Sequence, residues 1–102
     1  MSPLLVATEA GHLGVVEALC RHPSTDVDKC RGVDGATPLL MACLNASVPI
    51  VRALLHRGAD VNRPNHAGVT PLAAAAMRGR SDVVATLRSY GAHSSGTHVG
   101  AW

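Results

Sequence analysis

The feature that most constrains this chain is a repetition with a period of about 33 residues. Pro3, Pro38 and Pro71 lie 35 and 33 residues apart, and a leucine and further apolar residues follow each of them. Eight residues after each proline stands a small residue, namely Gly11, Ala46 and Gly79. Repetition at this period is typical of supersecondary units that stack in a row, and it argues against a single closed globule.

The middle block indicates what each unit is. Thr37 before Pro38 predicts a helix start, because the hydroxyl can cap free N–H groups and proline needs no donor there. The apolar run ends near Asn45, and Ser47 can cap a second helix. Gly58 stands where a left-handed helix cap is expected. The second helix has a wide apolar stripe made of Ile50, Val51, Leu54 and Leu55.

The segment that follows, residues 60–69, is polar and contains Pro64, Asn65 and Gly68, which predicts a hairpin-like or loop-like finger. One block is therefore a helix, a tight turn, a second helix and a finger. Two short helices cannot bury their apolar faces alone, so neighbouring blocks must stack. The predicted fold class is all-α, a solenoid of stacked helix-turn-helix units.

These blocks resemble ankyrin repeats, whose pattern includes Thr-Pro-Leu, Gly-His before the second helix, Val-Val and Leu-Leu within it, and Gly-Ala-Asp-Val-Asn after it. The matching segments are 37–39, 70–72, 11–12, 15–16, 54–55 and 58–62. The resemblance covers about residues 2–93 in three copies. It implies a domain over 1–93 with repeats at about 1–31, 32–64 and 65–93. The small, polar residues 94–102 are expected to form a flexible tail.

The sequence departs from the family pattern in two respects. The family's histidine after Thr-Pro-Leu, which helps to bond neighbouring repeats, is replaced by Leu5, Leu40 and Ala73. We therefore expect apolar packing to dominate between repeats and the stability to be modest. The first block is also longer, with one extra residue between Leu19 and Val27 and another before Pro38, so its finger should be irregular.

Composition excludes several classes of protein. A chain of 102 residues allows one domain, and its net charge of +2, with Lys and Arg scattered, does not predict nucleic-acid binding. Its longest charge-free stretch, 35–51, is broken by Pro38 and Pro49 and does not predict a membrane span. Three cysteines without close pairing favour a reducing compartment, so we expect an intracellular protein of the cytoplasm, with the nucleus as an alternative.

The reactive residue types are not arranged for chemistry. The six histidines stand on different predicted elements without Cys or carboxylate partners at ligand spacing, which argues against a metal site. Cys20 and Cys43 fall on apolar helix positions. Cys30 stands beside Lys29 and Arg31, and we interpret it as an ordinary loop cysteine rather than a reactive thiol. The seven carboxylates are dispersed. We expect no cofactor and no enzymatic activity.

The two ends of the repeat array differ. Thr86, Arg88 and Ser89 stand where the middle block has Ala53, Leu55 and His56, and the third repeat is therefore interpreted as a C-terminal cap. The first repeat is as apolar as an internal one, at Leu4, Leu5, Val15 and Leu19. Either the chain is part of a longer array, or a partner or a second copy covers this face.

The resemblance implies a function in protein–protein interaction, since ankyrin partners usually lie along the concave face formed by the finger tips and the first helices. The predicted partner-binding residues are Arg31, Val33, Asp34, Leu44, Asn45, His66, Val69, Met77 and Arg78. Leu44 and Met77 occupy the same position of successive blocks and can form an exposed aliphatic row, or they can simply pack against each other. The alternative function is that of a structural subunit that stacks or dimerises through its N-terminal repeat face.

Overall fold

A computed structural model describes residues 3–45 and 47–91. Within those residues the chain is helical without strands, which confirms the predicted all-α class. The predicted tail, 94–102, and the predicted domain end at 93 lie outside the described residues, and the predicted repeat bounds stay a prediction. The helices are α1 (Pro3–Ala10), α2 (Leu13–Arg21), α3 (Pro38–Leu44), α4 (Val48–His56), α5 (Pro71–Met77) and α6 (Ser81–Ser89).

The starts of α3 and α5 follow the predicted capping chemistry. The Oγ1 atom of Thr37 accepts a hydrogen bond from the Leu40 N–H at 3.2 Å. Thr70 accepts one from Ala73 at the same distance. At the other end of a helix, Gly58 follows α4 with a φ of +95°, the left-handed conformation that glycine adopts without strain. These predictions of helix boundaries are confirmed.

The turn between the two helices of a block is closed differently from the prediction. Ser47 stands at the N-cap position of α4, but its side chain makes no capping hydrogen bond. The backbone closes the turn instead, since the Ser47 N–H donates to the Ala42 carbonyl at 3.2 Å. Because the bond uses only backbone atoms, the side chain at this position can vary. The same bond joins His12 to Ala7 and Arg80 to Ala75, each at 3.0 Å.

The helix pairs stack as three layers, which we number in chain order: α1 with α2, α3 with α4, and α5 with α6. The inner helices α1, α3 and α5 contact one another in sequence, as do the outer helices α2, α4 and α6. Leu39, Ile50, Val51 and Leu54 of the middle layer are fully buried. The core therefore runs continuously through the stack, as it must when no pair of short helices can bury its own apolar faces.

The face of the first layer that points away from the stack is apolar. Of the four residues that were predicted to make the first repeat apolar, only Val15 is exposed on this face. Leu4 and Leu5 are buried against the rest of the protein and Leu19 is partly buried, whereas Val15 is 50% exposed. Val6 is 52% exposed, although its equivalent in the second layer, Met41, is only 5% exposed. Positions that contact a preceding layer elsewhere in the stack are thus uncovered here. We call Val6 and Val15 the N-terminal face.

Two of the three polar residues on which the predicted cap of the third layer rests are exposed, and whether this layer is a cap stays a prediction. Arg88 and Ser89 are exposed. The prediction is wrong for Thr86, which is 8% exposed and donates from its hydroxyl to the Asp82 carbonyl at 2.9 Å. Because this hydroxyl forms its hydrogen bond within its own helix, burying a polar residue there costs little free energy.

Side-chain hydrogen bonds also join the first two layers, which the expectation of mainly apolar cohesion missed. The guanidinium of Arg57 donates to the Cys20 carbonyl at 2.7 Å and, at 3.3 to 3.4 Å, to carbonyls of residues 22, 23 and 25. The amide of Asn45 donates to the carbonyls of Thr8 and Glu9 at 3.3 and 3.2 Å. Both side chains satisfy carbonyls at or just beyond the C-terminal end of a helix in the preceding layer, where helices lack internal donors.

Candidate partner-binding surface

The first finger, which lies between α2 and α3 and has residues 31–36 at its tip, contacts the first inner helix through an ion-pair cluster. Arg31 donates to both carboxylate oxygens of Asp34, at 3.2 and 2.8 Å, and also lies 3.7 Å from Glu9 near the end of α1. The hydrogen bond from Arg31, together with that from the Ala36 N–H, lowers the pKa of Asp34 to about 2. The same hydrogen bond raises the pKa of Arg31. The charges of Arg31 and Asp34 are therefore largely committed to each other.

The two finger tips differ by one residue and are joined to each other. In the first finger the Arg31 N–H donates to the Ala36 carbonyl, whereas in the second the Asn65 N–H donates to the nearer Val69 carbonyl. Of the two extra residues in the first block, the one before Pro38 thus lies in the finger tip. The His66 N–H donates to the Asp34 carbonyl at 2.8 Å, which links the second tip to the first.

The ring of His66 lies on the backbone of Gly35. A Cβ added to Gly35 would stand 2.4 Å from the His66 Cδ2, and this glycine has a φ of +75°. Glycine is therefore needed for two independent reasons, the left-handed backbone and the close approach of the ring. His66 contributes to the packing between fingers, beside any contact that it makes with a partner.

The predicted aliphatic row divides into covered and uncovered residues. Leu44 and Val69 are partly buried and pack on a small cluster that includes Leu40 and Met41. Met77, at the position equivalent to Leu44, is 72% exposed, and Val33 at the first finger tip is 89% exposed. The alternative that Leu44 and Met77 only pack against each other does not fit the exposure of Met77.

The remaining polar residues of the predicted set also differ in their roles. Asn45 bonds two carbonyls of the first layer, so its amide is already engaged. Arg78 is exposed, and within the described ranges no carboxylate lies at ion-pair distance from it. The candidate surface therefore offers two exposed apolar side chains, Val33 and Met77, and one exposed cation, Arg78, on a scaffold fixed by the other predicted residues.

The buried thiols have the environment that the sequence predicted. Burial raises the pKa of Cys43 to about 12, and burial is also the main reason why the pKa of Cys20 is raised. Thiols held in the neutral form are poor nucleophiles. Within residues 3–45 and 47–91, no group of three or more His, Cys, Asp or Glu residues is placed to hold a metal ion. In the same ranges no helix has the length and apolar character needed to cross a membrane.

Three layers of paired helices, joined by fingers and extended in one direction, define this protein as a helical repeat protein. A family model of ankyrin repeats in three copies matches residues 4–97. The chain belongs to the ankyrin-repeat family, as its sequence predicted. Ankyrin repeats are, as a class, non-catalytic modules that bind other proteins.

Curated relatives contain similar segments within much longer chains. The chain is 37% identical over 86 residues, 84% of its length, to Neurogenic locus notch homolog protein 1 of Xenopus tropicalis. It is 31% identical over 87 residues, again 84% of its length, to Ankyrin repeat and SAM domain-containing protein 6 of Rattus norvegicus. A putative E3 ubiquitin-protein ligase, XBAT35 of Arabidopsis thaliana, is 40% identical over 63 residues, or 59% of the chain. The chain spans 3%, 10% and 14% of these proteins, respectively.

Proposed function

We propose that this chain is a recognition module that binds a partner protein through the surface formed by its finger tips and the ends of its inner helices. The observation that supports this function best is the pair Val33 and Met77. Both are large apolar side chains, 89% and 72% exposed, and they are more exposed than Val6, Val15 and Tyr90, the other large hydrophobic residues that are exposed in the described chain. Arg78 beside Met77 supplies an exposed cation without an internal partner in the described chain. Apolar anchors beside a polar rim are the arrangement of a small protein interface.

The rigidity of this surface supports the proposal. The first finger is fixed by the Arg31–Asp34 pair, and the second is tied to the first through His66. Asn45 fixes the end of α3 against the end of α1. A surface that is ordered before binding loses little conformational entropy on association, so a few exposed side chains are enough to give useful affinity.

The test is a quantitative pull-down from cells with the wild-type chain and single variants. Val33→Glu and Met77→Glu should each reduce recovery of the same specific partners, because a charge would be placed in an apolar contact. Arg52→Glu, an exposed change on the outer helix α4, is the matched control and should leave recovery unchanged. Thermal unfolding of each variant should match the wild type. Equal recovery with all three variants would refute this surface.

A second candidate function, self-association through the N-terminal face, is favoured by the exposure of Val6 and Val15. These residues are 52% and 50% exposed, whereas their equivalents Met41 and Ile50 in the second layer are 5% and 0% exposed. Sedimentation at micromolar concentration tests this function. A dimer or larger species that becomes monomeric in Val15→Glu would support it, and a wild-type monomer would exclude it.

A further inference from the structure

The outward side of the third layer carries a groove whose lining shares no residue with the candidate surface. It lies between α5 and α6, has a volume of about 410 Å³, and has an apolar floor of Ala76, Val84 and Ala85. Arg80 and Arg88 line it as well. In the second layer, the residues equivalent to Ala76 and Val84 are Cys43 and Val51, and both are fully buried. The groove is therefore the place where a following layer would pack.

The two arginines that line this groove, and Arg78 of the adjoining candidate surface, are specific to the third repeat. Arg78, Arg80 and Arg88 correspond to Ala10, His12 and Cys20 in the first repeat, and to Asn45, Ser47 and Leu55 in the second. The third repeat thus has arginine at three positions where the first two repeats have neither lysine nor arginine.

The opposite charge is scarce in this part of the molecule. Residues 65–91 contain these three arginines and a single carboxylate, Asp82. The Asp82 carboxylate accepts a hydrogen bond from the Val83 N–H at 2.8 Å, and in the described chain it is not paired with any of the arginines. Solubility of an exposed repeat face requires polar residues of either sign. Three charges of one sign, without internal partners among the described residues, instead create a local field that attracts carboxylates.

From the apolar floor and the cationic rim we infer that this groove binds an acidic amphipathic helical segment of a partner protein. Aliphatic side chains on one face of such a helix fill the floor between α5 and α6. Glu or Asp residues beside that face then meet Arg80 and Arg88, whose planar guanidinium groups suit carboxylates. Nucleic acid is disfavoured because the groove lining has no aromatic side chain on which a base could stack.

The first test measures binding of the full chain to a fluorescein-labelled helical peptide with leucine on one face and glutamate on the other, by fluorescence anisotropy. Two control peptides replace glutamate by lysine or leucine by serine. We expect the leucine–glutamate peptide to bind at least about tenfold more tightly than either control. Absence of binding, or equal binding of either control, would overturn the inference. Tighter binding of a labelled oligothymidine would identify a nucleic-acid site instead and would also overturn it.

The second test places the binding in the groove. The double variant Arg80→Glu, Arg88→Glu should weaken the leucine–glutamate peptide by at least about tenfold, because attraction becomes repulsion. Ala85→Glu tests the floor independently and should also weaken peptide binding. Because Ala85 is exposed, this variant should keep the wild-type fold, which circular dichroism would verify. Arg52→Glu on α4 makes a charge change outside the groove and should leave peptide affinity unchanged. If Arg52→Glu weakens the peptide as much as the double variant does, binding depends only on net charge and the inference fails.

This inference and the proposed function can fail separately. Val33→Glu removes an apolar anchor of the finger surface but leaves the groove intact, so it should reduce partner recovery without changing peptide affinity. Ala85→Glu tests the reverse, since it changes the groove without altering a residue of the finger surface. Loss of peptide binding in Val33→Glu with a retained fold would show that the peptide binds the finger surface, and the groove would be rejected.

Discussion

The junction between the first and second layers differs in chemistry from the junction between the second and third. At the first, Arg57 donates to four carbonyls of the preceding layer and Asn45 to two. The Asp60 N–H also donates to the Asp28 carboxylate at 2.9 Å, which ties one finger to the next. Hydrogen bonds from a charged donor are worth more than neutral ones. The first junction thus combines apolar packing with a polar clamp.

The second junction has fewer side-chain hydrogen bonds among the described residues, although the His66 N–H donates to the Asp34 carbonyl at 2.8 Å there. The Tyr90 hydroxyl lies 3.1 Å from the His56 Nε2, on an exposed edge-to-face pair whose ring centroids are 5.8 Å apart. Four consecutive alanines, 73–76, occupy the middle of α5, so its side chains add little buried area. Layers with the same backbone arrangement can therefore be coupled very differently. We expect the third layer to open before the first two separate.

The largest expected effect tests this order of opening through a matched pair of core truncations. Leu54 and Leu87 occupy the same position of α4 and α6, and both are fully buried. Each leucine-to-alanine change should cost about 2–5 kcal/mol of unfolding free energy through the cavity it leaves. Leu54→Ala lies in the middle layer, and should abolish cooperative folding because three repeats are near the minimum for stability.

Leu87→Ala should act mainly on the third layer. In hydrogen exchange, amides of α6 should lose protection while those of α2 and α4 largely keep it. Urea unfolding gives the total cost for Leu87→Ala, and the loss of a cooperative urea transition is the expected result for Leu54→Ala. Equal loss of protection in all six described helices after Leu87→Ala would contradict the comparison, since it would mean that the two junctions couple their layers equally.

A smaller effect should follow from removal of the polar clamp. Arg57→Met keeps much of the aliphatic packing but leaves carbonyls at the end of α2 without a donor, so it should cost about 1.5–3 kcal/mol. Arg52 is an exposed arginine within α4, the helix that Arg57 follows, so Arg52→Met is the control and should stay within about 0.5 kcal/mol of wild type. Tyr90→Phe at the second junction should cost about 0.5–1.5 kcal/mol. If Arg57→Met cost no more than Tyr90→Phe, the polar clamp would not stabilise the first junction more than the Tyr90–His56 contact stabilises the second.

The sequence predicted the parts of this fold that depend on local chemistry. Thr37 and Gly58 could be assigned because a cap and a left-handed glycine leave the same pattern wherever they occur. The apolar stripe of α4 predicted its buried face correctly. The layers, the fingers and their order follow from these elements and from the repeat period. The architecture could therefore be predicted without knowing any contact between distant residues.

Contacts between layers could not be predicted in the same way. Arg57 reads as a polar residue at a helix end, and nothing local indicates that Cys20, 37 residues away, supplies its acceptor. Asn45 was assigned to a partner although its amide is engaged with the first layer. Leu44 and Met77 have equivalent positions, but only Leu44 packs beside Val69 of a following finger. A single repeat does not contain this information, because it depends on what its neighbours place against it.

The smallest effect concerns the two fingers, which use different side chains for similar turns. The Asp34 carboxylate accepts from the Ala36 N–H and from Arg31, whereas in the second finger the Asn65 amide oxygen accepts from the Ala67 and Val69 N–H groups. Of these two tip side chains, only that of Asp34 can therefore lose its turn contact by protonation. The hydrogen bond from Arg31 lowers the pKa of Asp34 from an ordinary value of 3.8 to about 2.

Because this pKa is lowered, the stabilisation by Asp34 is fully present above the unfolded value and is lost as the pH falls through about 2. The pair is exposed, so the effect on global stability should be small and reduced by salt. The amide resonance of Ala36, followed from pH 5 downwards, should titrate near pH 2 at low salt, and Asp34→Asn should remove this transition while Val69 stays unaffected in both proteins. If the Ala36 resonance of the wild type titrated with a midpoint near 3.8 at low salt, Arg31 would not be bonded to the Asp34 carboxylate in solution. The proposal that this pair fixes the first finger tip would then be wrong.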